Sequence, residues 1–90
     1  MITLELNSKL DYKNKLRNID KYSDEKYNWT IQYDDRLSAF YVFLFPTPIL
    51  GITTRTIDGK KYIKTFPVSG NSFLQRKATE IVKEMLGVHK

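Results

Sequence analysis

No cysteine occurs in this chain of 90 residues, and the only histidine is His89. Disulfide staples, zinc knuckles and thiol catalysis are therefore excluded. A histidine one residue from the end is expected to be tail rather than metal ligand or catalytic base. Apolar runs are short: none approaches the ~18 residues of a membrane span. The opening MITLELNSKL also lacks the basic segment and apolar run of a signal peptide. The expectation is a cytoplasmic protein with no membrane association, in which the glycosylation-like triplet Asn28-Trp29-Thr30 has no meaning. Gly-rich phosphate loops, metal-ligand spacings and a Ser/His/Asp set with an internal histidine are missing too, so neither an enzyme nor a cofactor is expected. Asp34-Asp35 is a carboxylate pair, but adjacent turn residues point apart, and the tip of a hairpin is their usual home.

Acidic residues are scarce in one half only. Residues 1–45 carry seven basic and seven acidic side chains, whereas residues 46–90 carry eight basic ones against Asp58, Glu80 and Glu84. The second half therefore holds the whole net charge of +5, and it is where a polyanion is drawn. The composition is otherwise that of a folded domain, 41% apolar with six Tyr, five Phe and one Trp. Ninety residues make one domain, because two would each be too short to bury a core that offsets their ordering entropy.

Along the chain, Ile2, Leu4 and Leu6 alternate as a short strand does. Ser8 and Asp11 signal a helix start, and Tyr12, Leu16 and Ile19 then recur at helical spacing, which predicts a helix over about 9–22. Trp29, Ile31 and Tyr33 alternate with polar residues, and Asp34-Asp35-Arg36 reads as a turn. The strand from about 39 to 45 is apolar on both faces, with Phe40, Val42 and Leu44 on one and Ala39, Tyr41, Phe43 and Phe45 on the other. Such a strand belongs at the centre of a sheet, covered on both sides by helices and by a second surface such as a dimer partner.

Pro46-Thr47-Pro48 turns the chain, and a new strand starts near Ile49. Asp58-Gly59, flanked by β-prone residues, predicts a two-residue hairpin. Pro67 ends its second strand. Ser72 and Gln75 then form a capping box for a helix over about 73–86, whose buried stripe is Leu74, Ala78, Ile81, Val82, Met85 and Leu86 and whose carboxyl cap is Gly87. The order is β(short)-α-β-β-β-β-α, an α+β domain with an antiparallel sheet of four to five strands and both helices on one side.

Hairpin register selects candidate binding residues. A two-residue loop pairs Ile57 with Lys60 and puts Thr53, Arg55, Lys60, Tyr62, Lys64 and Phe66 on one face. Cations interleaved with rings are what nucleic-acid-binding sheets present. The competing reading makes Tyr62 and Phe66 core residues with the basic stems covering their rims. A one-residue bulge would swap the faces. A second candidate is the start of the last helix, where Ser69-Gly70-Asn71-Ser72 offers backbone N–H groups and Arg76 and Lys77 follow; its competing reading is an exposed face laced by Glu80 and Glu84.

Three resemblances bear on these residues. Ile57-Asp58-Gly59-Lys60-Lys61-Tyr62 with Lys64-Thr65-Phe66, followed by a long helix, resembles the arm-binding domains of tyrosine recombinases. Those domains lay a three-stranded sheet in the DNA major groove, which implies Arg55, Lys60 and Lys64 as contacts. Gly70-Asn71-Ser72 before the last helix is similar to double-stranded RNA-binding domains and implies Lys77 as a phosphate contact, although Phe73-Leu74 stand where that family has a lysine pair. Asp34-Asp35 with Tyr41-Val42-Phe43 and Pro46 looks like the sheet of small ribonuclease-like antitoxins, without their Pro-Gly-Cys continuation.

The expectation is a small basic protein that binds DNA or RNA without catalysis through Arg55, Lys60, Tyr62, Lys64, Arg76 and Lys77. The alternative is an interaction module, such as an antitoxin or a virus-encoded inhibitor, that meets a protein partner or a second copy through Tyr41, Phe43 and Phe45. The direction in which Tyr41, Phe43 and Phe45 point discriminates between them: a contiguous solvent-exposed face on that strand favours a protein partner or second copy, and a strand covered on both faces leaves the basic surface.

Overall fold

The computed structural model of the chain describes residues 2–6, 11–19, 26–44 and 46–87. Five strands and two helices follow one another as β1 (Ile2–Glu5), α1 (Tyr12–Leu16), β2 (Trp29–Asp34), β3 (Ala39–Leu44), β4 (Thr47–Ile57), β5 (Lys60–Pro67) and α2 (Ser72–Met85). The strands form one antiparallel sheet in the spatial order β1-β5-β4-β3-β2. β2 to β5 are a meander of successive neighbours, and β1 crosses to the far edge beside β5. Neither described helix is long and apolar enough to cross a membrane.

Both helices lie on one side of the sheet, as expected. The core that they close contains Leu16 of α1 and Ala78, Ile81, Val82 and Met85 of α2, against Phe40, Val42, Leu50, Ile52 and Ile63 of the sheet. These strand residues share a face because directly paired residues of antiparallel strands point the same way, and the pairs are Val42 with Leu50, Phe40 with Ile52, and Thr54 with Ile63. Tyr12 of α1 marks the same side, its hydroxyl 3.3 Å from Thr54 Oγ1 and its ring 6.2 Å edge-on from that of Phe40.

The hairpin has the expected two-residue loop. Asp58 and Gly59 both take positive φ, 52° and 79°, the pair of conformations that a type I′ turn requires and that its right-handed strands accept. Ile57 pairs with Lys60, and no bulge interrupts the ladder down to Leu50 and Pro67.

Other expectations need correction. The central strand is β4, and β3 lies one place from the edge. Among the described residues the helices cover only the first apolar face of β3; its second face carries Tyr41 and Phe43, both half-buried. The 46–48 segment does not turn as a unit: Thr47 and Pro48 already belong to β4, opposite Leu44 and Phe43. Pro48 is tolerated because the register shifts there, Val42 pairing with Leu50 and Phe43 with Pro48, so that Ile49 is extra. The bulge turns Ile49 and Leu50, adjacent in sequence, both into the interior.

The first helix is one and a half turns where 9–22 was expected; residues 7–10 and 20–25 lie outside the described residues. Asp11 caps it by accepting from the Asn14 N–H. Asn18 returns its side-chain amide to the Asn14 carbonyl at 2.8 Å, the local competition that makes asparagine a poor helix interior. The second helix begins one residue early, with Asn71 instead of Ser72 as the cap, its side chain accepting from the Leu74 N–H at 2.9 Å. Gly87 has the positive φ expected of the carboxyl end.

Candidate nucleic-acid interface

Alternation in β4 and β5 decides where the basic residues go. Ile63 and Thr65 are 0% and 2% exposed, while Tyr62, Lys64 and Phe66 between them are half-buried. Tyr62 opposes Arg55 and Glu5, Lys64 opposes Thr53 and Thr3, and Phe66 opposes Gly51. The face deduced from hairpin register is therefore the face turned away from the helices. Tyr62 and Phe66 are thus outside the main core, which lies on the other side of the sheet, and each is half-buried beside the basic side chains.

On this face β5 alternates cation and ring, Lys60, Tyr62, Lys64 and Phe66, each step covering about 6.6 Å at the rise of a strand. Arg55 stands beside Tyr62 on β4. Arg55 and Lys60 are exposed and Lys64 half-buried. Among the described residues none of these three cations forms an ion pair. Glu5, exposed on the β1 edge, is the one described carboxylate on a strand flanking them; Asp58 sits in the turn.

The apolar part of the face continues across the sheet. Gly51, unremarked in the sequence beyond its place in a strand, allows this. A Cβ there would collide with the Phe66 ring, so that ring lies over bare backbone and reaches the Tyr41 ring, edge-on at 6.1 Å. Tyr41 and Phe43 of β3 are both half-buried on this face, and a shallow hollow beside them is bordered by Gln32, Asp34 and Arg36. Phe45, grouped with them in the sequence, lies outside the described residues. An isolated glycine within a strand is the signal that marks such a close approach.

Asp34 and Asp35 lie on the β2 edge at the same end of the sheet as the hairpin, Asp34 pairing with Ala39 and the adjacent Phe40 with Ile52, so they are set apart from Lys64 across the strands and not along them. The Asp34 carboxylate accepts from the Arg36 N–H at 2.9 Å and the Leu37 N–H at 3.4 Å, holding the β2–β3 turn as aspartate commonly does. The pair belongs to turn structure.

Arg76 and Lys77 are not brought to the same place. They lie on α2, beyond the opposite side of the sheet from Arg55, Lys60 and Lys64. Arg76 is exposed beside Phe73, Lys77 and Glu80. The Lys77 ammonium sits 5.5 Å from the centre of the Tyr27 ring, which itself is 6.5 Å from the ring of Phe73. The helix start is also less open than its sequence implies, since Asn71 takes the Leu74 N–H, and the Gln75 amide spans back to the Ser69 and Gly70 carbonyls at 3.2 and 3.3 Å. The six expected contact residues thus separate into a sheet set and a helix set on opposite sides of the molecule.

Comparison of the chain with models of known protein families, with curated proteins and with solved structures gives no match.

Proposed function

We propose that the protein is a non-catalytic nucleic-acid-binding domain that uses the face of its sheet that no described helix covers. The observation that carries this reading is the set of Arg55, Lys60 and Lys64, interleaved with Tyr62 and Phe66 on one face and free of ion pairs among the described residues. Cations held this way contact phosphates without first giving up an internal partner, and rings between them offer flat surfaces to bases. Arg76 and Lys77, on the helix side, take no part in this reading. Contacts of this kind are sequence-tolerant and salt-dependent, each phosphate neutralised adding about 0.7–0.9 to the slope of log affinity against log salt.

The test is fluorescence anisotropy of labelled DNA and RNA at two salt concentrations. Salt-sensitive binding is expected, and Lys60→Glu with Lys64→Glu should weaken it by at least about tenfold while lowering the salt slope by about 2. Unchanged binding by a folded double variant moves the site elsewhere, and no binding at low salt discards the reading.

A second reading has its own observation. Tyr41 and Phe43 are half-buried on the face of β3 that no described helix covers, which favours a protein partner or a second copy docking there. Light scattering separates this case: a dimer that Tyr41→Ser and Phe43→Ser return to monomer assigns the aromatic end of the face to association.

A further inference from the structure

Resting on the reading of the sheet face away from the described helices as a nucleic-acid surface, we infer that its ligand is a single strand, lying along β5, with bases on Tyr62 and Phe66 and phosphates at Lys60, Lys64 and Arg55. Charge fixes the position on the sheet. Across the strands this face is basic on β4 and β5, where Arg55, Lys60 and Lys64 stand, and acidic at the β2 edge, where Asp35 follows Asp34, itself 3.9 Å from the Arg36 guanidinium. A polyanion is drawn to the first and repelled from the second.

Ring placement fixes the strandedness. In a duplex the base faces are stacked on one another, so a protein meets phosphates and groove edges and has no use for aromatic planes. A single strand exposes base faces, and side-chain rings are what hold them. On β5 the rings alternate with the ammonium groups at every second residue, which suits a ligand whose own bases and phosphates alternate. Tyr62 and Phe66 both keep part of their surface open instead of being withdrawn into the core. Phe66 is further set by Gly51 beneath it and by Tyr41 at its edge, so one stacking platform is positioned before any ligand arrives, which lowers the ordering cost of binding.

The experiment titrates the full chain with labelled oligonucleotides of mixed sequence, as a single strand and as the duplex of the same sequence, together with the variants Tyr62→Leu and Phe66→Leu. Leucine retains apolar bulk and removes the ring. Single-strand affinity at least tenfold above duplex affinity is expected, with a loss of about tenfold in each leucine variant. Because Phe66 also packs on Tyr41, its variant is accepted only if it melts cooperatively; Tyr62→Leu does not share that contact. Duplex binding as tight as single-strand binding, or leucine variants that bind the single strand as the parent does, would overturn the single-strand inference and leave the nucleic-acid reading standing. Absence of binding to either form overturns both.

Discussion

The two faces of the sheet are made by the same five strands, and neighbouring residues on β5 show how far they diverge. Ile63 is fully buried against the helices, while Tyr62 and Lys64 on either side of it stand half-open on the other face. Toward the helices, Phe40, Val42, Leu50, Ile52 and Ile63 merge with α2 into one core. On the other side, Tyr41, Phe43, Phe66 and Tyr62 offer rings that no described element covers, edged by three cations. Burial among the described residues is thus concentrated on one face, which leaves the residue types of the other less constrained by packing.

The largest expected difference between the faces is in stability. Ile63→Ala removes a fully buried side chain from the centre of the core and should cost about 2–5 kcal/mol. Tyr62→Ala, one residue away, should cost less, about 1 kcal/mol, since it removes partial burial and contact with two cross-strand neighbours, Arg55 and Glu5. Urea unfolding of the two variants measures both. Equal costs would mean that this face is packed as tightly as the other, and would count against the proposal that it is a binding surface.

A smaller effect is expected where the face is shaped from below. Gly51→Ala places a methyl group inside the ring of Phe66, which must swing away from Tyr41. Overpacking of this kind costs about 1–3 kcal/mol, with the low end expected because the ring has open space on its far side. Urea unfolding gives the cost, and proton shifts of the Tyr41 ring report whether Phe66 has moved. An unchanged Tyr41 spectrum would show that the ring was not held by the glycine.

Much of this arrangement was legible in the sequence, and the reasons are local. The hairpin register follows from Asp58-Gly59 alone, because both residues accept positive φ and the two-residue loop fixes every pair above it. The second helix is equally self-marked by its stripe and by Gly87. What was not legible depends on tertiary placement. The apolar character of β3 on both sides says that two surfaces need covering, but not which of them the two described helices take. Asn71 and Ser72 are both good caps, and the choice between them is made by where Gly70 turns the chain, its φ being 85°. That Arg55 and Arg76 stand on opposite sides of the molecule was not legible either, because sequence distance says nothing about which side of a sheet a helix takes. Phe66 on Gly51 was missed because the two are 15 positions apart and meet only through register.

On the helix side, the cap itself offers a further and smaller effect. Asn71→Ala removes the acceptor of the Leu74 N–H and should destabilise the domain by about 1 kcal/mol, within the range of 0.5–2 for such caps. Asn71→Ser should retain most of it. A thermal melt of the three proteins measures this, and a serine variant as weak as the alanine one would show that Asn71 acts otherwise than as a cap.

The smallest expected effect is the one that most sharply divides the faces. Arg76 is exposed on α2, away from the surface that carries Arg55, Lys60 and Lys64. Arg76→Glu changes the net charge by the same amount as any single basic-to-Glu swap on the sheet, so it alters long-range attraction equally while touching no contact on the open face. At physiological salt the Debye length is about 8 Å, and a charge on the far side of a sheet backed by helices is largely screened from that face. Nucleic-acid affinity should therefore fall by less than about twofold in Arg76→Glu, against a much larger drop for Lys64→Glu alone. Anisotropy measured on both variants in the same buffer makes the comparison. Equal losses would mean that the ligand wraps from one side of the molecule to the other, joining the sheet set and the helix set into one path and returning Arg76 to the binding site.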